Sequence, residues 1–310
     1  MRAIFWLTAL SALSSTAWAL DANQVRGGWE STADSGAHVL EFSIRGEHVT
    51  GVYCTVCADA RTLSLVEGTL GARQLSFVIE HVGDDGRILS RDQATARVEG
   101  DHLVVDGAAE GSEAAAPAAA SAAFHWILRK DPRGPAPFGG VKVAEALPQP
   151  GAPAVNVAAY GVHGQALPPG GLQVVRAPWT QPGPWEPLSA ARLAGVWLNG
   201  TGPGKQYFII RRAGGRLFGL VCGPCDNSYD MAALTDFSID GDTLHFNIAH
   251  EDNGIGPLPF YNQITAHLAR NELRLVSIVP DNQPATTRRV GGLSLLGPLP
   301  YEATAGDGGH

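Results

Sequence analysis

The sequence predicts an all-β protein built as two tandem eight-stranded antiparallel up-and-down barrels joined by a Pro/Gly-rich connector. Three observations carry this. First, the chain repeats itself: Trp29 and Trp197, Gly46 and Gly214, Gly51 and Gly219, Cys54 and Cys222, and Cys57 and Cys225 are all 168 residues apart. One residue of slippage then pairs Leu65 with Leu234, Phe77 with Phe246, Ile79 with Ile248 and His81 with His250, and one more pairs Gln93 with Gln263 and Leu103 with Leu273. Such self-similarity marks a duplicated structural unit. Second, Leu75, Phe77, Ile79 and His81 alternate with polar or neutral neighbours, as do Leu244, Phe246, Ile248 and His250. A period of two is that of a strand with one buried face. Third, turn signals such as Arg45-Gly46-Glu47, Ala213-Gly214-Gly215 and Asp240-Gly241-Asp242 separate these runs.

Taken in order, residues 1–19 read as a signal peptide. Met1-Arg2 supplies a positive start, Ala3 to Leu13 an apolar run, and Ala17-Trp18-Ala19 a small-x-small cleavage site. The run is too short for a membrane span of ~20 residues, and no later stretch replaces it. The predicted address is therefore periplasmic or secreted, with no membrane span. The first barrel, 20–130, has strands near 27–33, 37–45, 48–55, 62–69, 74–81, 92–98, 101–107 and 123–129. An alanine-rich stretch at 108–123 reads as a mobile loop before the last of them. The connector, 131–190, holds 12 prolines and 9 glycines in 60 residues, a composition that favours an extended path draped over the barrels. The second barrel, 191–300, has strands near 195–199, 205–212, 216–222, 232–239, 243–250, 262–268, 272–278 and 285–291, before a flexible tail at 301–310. Eight meandering strands avoid exposed edges best by closing.

Gly27-Gly28-Trp29 and Gly195-Val196-Trp197 each place Gly-x-Trp at the start of a first strand. This resembles the opening signature of lipocalins and their calycin-type relatives. The resemblance implies an arginine near the last strand packed over the tryptophan, and Arg129, and Arg288 or Arg289, stand where it is expected. It covers only the two ends of each copy, and the family's ligands do not carry over with it.

Cys54-Thr55-Val56-Cys57 and Cys222-Gly223-Pro224-Cys225 both end the third strand of their copy. A structural disulfide within each pair suits an exported chain. Dithiol redox chemistry is a second reading, because Cys-Gly-Pro-Cys is the thioredoxin tetrapeptide, although here it follows a strand and copy one lacks Gly-Pro. A zinc shared by both pairs is a third, and bridges between copies or free thiols complete the set.

His81 and His250 share the phase of the apolar face and so point inward near one barrel mouth, each followed by glycine and acidic residues. In copy two the loop from Glu251 also carries Phe260 and Tyr261. The plain reading is a histidine capping the core; the functional one is a ligand grip or an acid and base. Gln93, Thr95, Gln263 and Thr265 fall on the opposite face, where the barrels or the connector would touch. A net charge of −8 argues against a nucleic-acid partner. Gly-x-Ser-x-Gly, Walker and His-Glu-x-x-His motifs are absent, and the sequence implies no cofactor and no metal. The leading expectation is a small-molecule binding protein for an apolar or amphipathic ligand lined by Phe77, His81, Phe246, Ile248, His250 and Phe260. The alternatives are a cofactor-free isomerase, cyclase, hydratase or lyase with His250 as base and Asp252 or Tyr261 as acid, and an interaction scaffold with filled barrels.

Overall fold

The computed structural model of the chain describes residues 20–31, 38–110, 122–130, 184–199, 206–222, 225, 231–250, 260–269, 272–280 and 289–297. The expected leader, most of the connector and the tail lie outside these. Two one-turn helices that the sequence reading did not anticipate, α1 (Ala22–Val25) and α2 (Ala190–Leu193), each lead into a first strand. In the first unit the strands are β1 (Gly27–Ser31), β2 (Val39–Arg45), β3 (His48–Cys54), β4 (Ser64–Leu70), β5 (Leu75–Val82), β6 (Ile88–Glu99), β7 (His102–Glu110) and β8 (Ala123–Lys130). They pair antiparallel in chain order, and β8 returns to β1, so the first unit is a closed eight-stranded barrel. In the second unit β9 (Gly195–Asn199), β10 (Gln206–Ala213), β11 (Arg216–Cys222), β12 (Met231–Asp240), β13 (Thr243–His250), β14 (Phe260–Ala269), β15 (Glu272–Pro280) and β16 (Arg289–Gly297) form a curled sheet in the same order. Its last strand starts four residues later than the sequence suggests, and three paired positions join it to β9.

Alternation decides what fills the first barrel. Leu40, Phe42, Ile44, Val49, Val66, Leu75, Phe77, Ile79, Ala96, Leu103, Val105 and Leu128 all point inward and are buried against one another. The Gly-x-Trp motif builds the floor. Gly27 turns the chain from α1 into β1 at φ +105°, a conformation that favours glycine. The Trp29 indole then donates to Val25 O at 2.6 Å, satisfying a carbonyl that the short helix leaves open. Trp197 does the same to Leu193 O at 2.9 Å. The cation over Trp29 is Lys130, 5.2 Å from the ring centroid, and not Arg129. The reason is phase: Leu128 and Lys130 share the inward face of β8, whereas Arg129 is exposed on the outer face. Arg288 is outside the described residues, as is the side chain of Arg289.

The strand register also corrects the alignment of the copies. Gly51 pairs with Val66 and Gly219 with Leu234, so Leu234 is the counterpart of Val66 and not of Leu65. Leu65 accordingly faces outward while Leu234 packs inside its sheet. The extra residue enters not ahead of Leu234, as the side-chain matches suggest, but just after it in the same strand, at a bulge in β12 between Thr235 and Ser238, where Asp236 takes φ +54°.

The outer faces of β3–β5 and of β9–β11 share one apolar cluster containing Val52, Leu65, Val82, Val196, Ile209, Phe218 and Leu220. Both cysteine pairs belong to it, and each is a disulfide within its own pair. Gln93 and Gln263, expected near this contact, are instead exposed. Of the connector, Trp185 stacks on His267 at 4.6 Å and Glu186 bridges to Leu268, so its last residues do lie on the second unit.

Candidate functional site

The end of the first barrel opposite Trp29 differs in chemistry from the apolar interior beneath it. Here the inward-facing positions are His38 before β2, Tyr53 near the end of β3, Ser64 opening β4, His81 near the end of β5, Asp92 on β6, and Phe124 and Trp126 on β8. Ser64 and Tyr53 are register partners, as are Asp92 and Ile79, so the antiparallel meander gathers residues far apart in sequence into one ring. The His81 imidazole links Ser64 Oγ at 3.0 Å through Nδ1 to Asp92 Oδ2 at 2.8 Å through Nε2. The Tyr53 hydroxyl meets His38 Nδ1 at 2.8 Å. Trp126 stacks on His38 and on Phe124, both at 4.3 Å, and lies parallel to Tyr53 at 5.4 Å. Gly107 makes room for this stack, because a Cβ there would fall 2.2 Å from the Phe124 ring.

Ser64, Tyr53 and Trp126 are buried, whereas the His81 side chain keeps 30% of its surface. The ring is therefore a shallow polar and aromatic mouth over a filled barrel. Burial, with the Asp92 charge adding to it, pushes the Tyr53 phenol up to about 12, so it stays protonated at neutral pH. Both His81 nitrogens are engaged, one by a hydroxyl and one by a carboxylate. That fixes the ring's orientation and leaves neither nitrogen open to take a proton directly from a bound molecule.

Of the residues singled out in the sequence, His81 stands in this ring and Phe77 in the packed core below it. Phe246 and Ile248 are buried inside the second unit. His250 pairs with Phe260 and Ala249 with Tyr261 across β13 and β14; the side chains of His250, Phe260 and Tyr261, and all of Asp252, lie outside the described residues. Sequence reasoning missed Ser64, Asp92, Tyr53, His38 and Trp126. Strand phase could have found them, since each is in step with a run of buried apolar residues. By register, their counterparts in the second unit are Ala232, Asn262, Val221, Gln206 and Gly291, so the duplicated positions have diverged in chemistry.

A cleft of about 410 Å³ also opens between the units, lined in part by Glu67, Arg216, Asp236, Phe237 and Ile239. Arg216 is already engaged there with Glu67 and Glu80 across the contact, and Arg45 lies 3.7 Å from Asp236. Among the described residues, no group of three or more His, Cys, Asp or Glu could hold a metal ion, and no helix is long and apolar enough to cross a membrane. No family model, curated protein or solved structure matches the chain.

Proposed function

We propose that this chain is a periplasmic or secreted binding protein of two tandem lipocalin-like barrels, and that it holds a small amphipathic molecule at the upper mouth of the first. One observation carries the reading: a half-buried Ser64–His81–Asp92 chain beside the Trp126 stack, set on top of a filled apolar interior. A core alone gains little from a carboxylate and an imidazole on its inward face, because their pairing offsets the cost of burial without improving on apolar side chains packed in the same place. Flat aromatic surface beside a few fixed polar groups is the usual make-up of a small-molecule site. The ligand sits on the mouth rather than deep in the barrel, since Phe77 and its neighbours occupy that space. The engaged His81 nitrogens favour holding a molecule over transforming it. The β16–β9 pairing supports a second barrel like the first, and the two disulfides and the apolar leader-like start support export.

A scaffold reading draws on the filled interior and predicts no small-molecule site at all. Titration with phenylnaphthylamine, a neutral amphipathic fluorophore, separates the two. Binding at the mouth predicts saturable fluorescence enhancement, weakened about tenfold or more (about 1.4 kcal/mol) by Trp126→Leu and by His81→Ala. His125→Ala, on the outer face of the same strand, leaves it unchanged. No saturable binding, or binding indifferent to Trp126 and His81, supports the scaffold instead.

A further inference from the structure

One guanidinium of the second unit reaches the strand ends that carry the mouth of the first. Arg211 on β10 is 1% exposed. Its Nη1 donates to Arg61 O and Leu63 O, both at 2.8 Å, and its Nη2 to Val82 O at 3.2 Å and Gly83 O at 3.0 Å. Leu63 immediately precedes Ser64, and Val82 immediately follows His81. The same cation thus ties together the ends of β4 and β5 from outside, while Ser64 and His81 hydrogen-bond to each other inside. The rest of the β10–β11 hairpin grips the β5–β6 turn that joins His81 to Asp92. Arg212 Nη2 donates to Asp85 O at 2.7 Å, and Gly214 N to Gly86 O at 2.8 Å. Gly86 holds φ +78°, and a Cβ there would fall 2.8 Å from Arg212 Cβ, so the fit admits only glycine.

We infer that the second unit braces the binding mouth of the first, with Arg211 as the positioning residue that sets the Ser64–His81–Asp92 geometry. Arginine suits this task because its planar fork meets several carbonyls at once, which an ammonium on a flexible stem cannot do. A cation withdrawn from water onto four carbonyls of the other unit, with Asp84 at 3.6 Å the only carboxylate within ion-pair distance among the described residues, holds those carbonyls at fixed positions. The inference deepens the binding reading and rests on it for its purpose. It also fits the divergence of the copies, in which Ser64, Tyr53 and Trp126 are matched by Ala232, Val221 and Gly291: one unit carries the site and the other holds it in shape.

The test uses the full chain with Arg211→Lys and, as a second variant, Gly86→Ala, which pries the hairpin from the turn without touching Arg211. Two readouts follow the mouth itself: the ring-nitrogen NMR signals of His81, which report its fixed tautomer, and the alkaline ultraviolet titration of Tyr53. Phenylnaphthylamine affinity is the third. The brace predicts that each variant releases His81 towards the mixed tautomers of a free imidazole, lowers the Tyr53 midpoint by one pH unit or more, and weakens the probe about tenfold. Arg274→Ala, which is paired with Glu272 within the second unit and is not part of this contact, moves none of these. A folded Arg211→Lys chain with parental His81 and Tyr53 signals overturns the brace. If Arg211→Lys does not fold, parental signals in Gly86→Ala overturn it equally. Shifted signals in a chain whose parent binds no probe retain the brace and remove the binding reading.

Discussion

Tyr53 offers a direct measure of how well the mouth is sealed. Its hydroxyl contacts His38 Nδ1 at 2.8 Å, and burial, aided by Asp92, raises its ionisation from 10.0 to about 12. In Tyr53→Phe the ring packing survives, but the hydrogen bond is lost, at a cost of about 1 kcal/mol near pH 8. At higher pH the parent carries a burden that the variant lacks. The unfolded chain releases the phenol proton from pH 10 upward while the folded chain retains it until about 12. The stability is therefore present in full below pH 10 and is lost as the pH rises through that window. At pH 11 the loss is about 1.4 kcal/mol, one pKa unit's worth of differential proton binding. The gap between parent and variant should close, or slightly reverse, between pH 8 and pH 11. Urea denaturation of both chains at the two pH values measures it, and the other titrating groups cancel in the difference. A gap of the same size at both values would refute the claim that this phenol is withdrawn from water.

Three further outcomes follow from backbone and thiol geometry. In Gly51→Ala the new Cβ would lie 2.0 Å from Glu41 O, and in Gly219→Ala 2.2 Å from Ile209 O. The obstacle in each case is backbone, which cannot rotate aside, so each should lose about 3 kcal/mol, the upper end of overpacking costs. Gly46→Ala, at φ +61° with open space around it, should lose only about 1 kcal/mol; equal losses would contradict the close strand approach. The four cysteines are 0–5% exposed inside the inter-unit cluster. Mild reductant plus an alkylating reagent should therefore label none of them in the folded chain and all four after denaturation, as read by intact mass. Replacing Cys54 and Cys57 by serine should cost about 2 kcal/mol for so short a loop, and rapid labelling of the folded chain would argue against a buried structural role.

Much of the architecture was legible in the chain. The repeat, the strands to within a few residues and the two cysteine pairs all follow from local periodicity and spacing, which need no knowledge of distant contacts. The phase of Leu75, Phe77, Ile79 and His81 placed His81 correctly at an inward mouth. Phase was also available for Arg129 and Lys130: alternation along β8 puts Lys130, and not Arg129, on the side of Trp29. The slip between Leu65 and Leu234 was harder to place, because a one-residue bulge leaves no mark until the strands are paired.

By itself the sequence determined which residues face inward and which outward, and that the unit occurs twice, because side-chain alternation and duplication are written along the chain. Only the tertiary structure decided that Ser64, His81 and Asp92 meet, that Tyr53 lies beside Trp126, and that Arg211 closes on Leu63 and Val82 from the other unit. Those contacts join residues between 11 and 148 positions apart. Barrel register and the packing of one outer face on another, rather than any local preference, bring them within hydrogen-bonding or stacking distance.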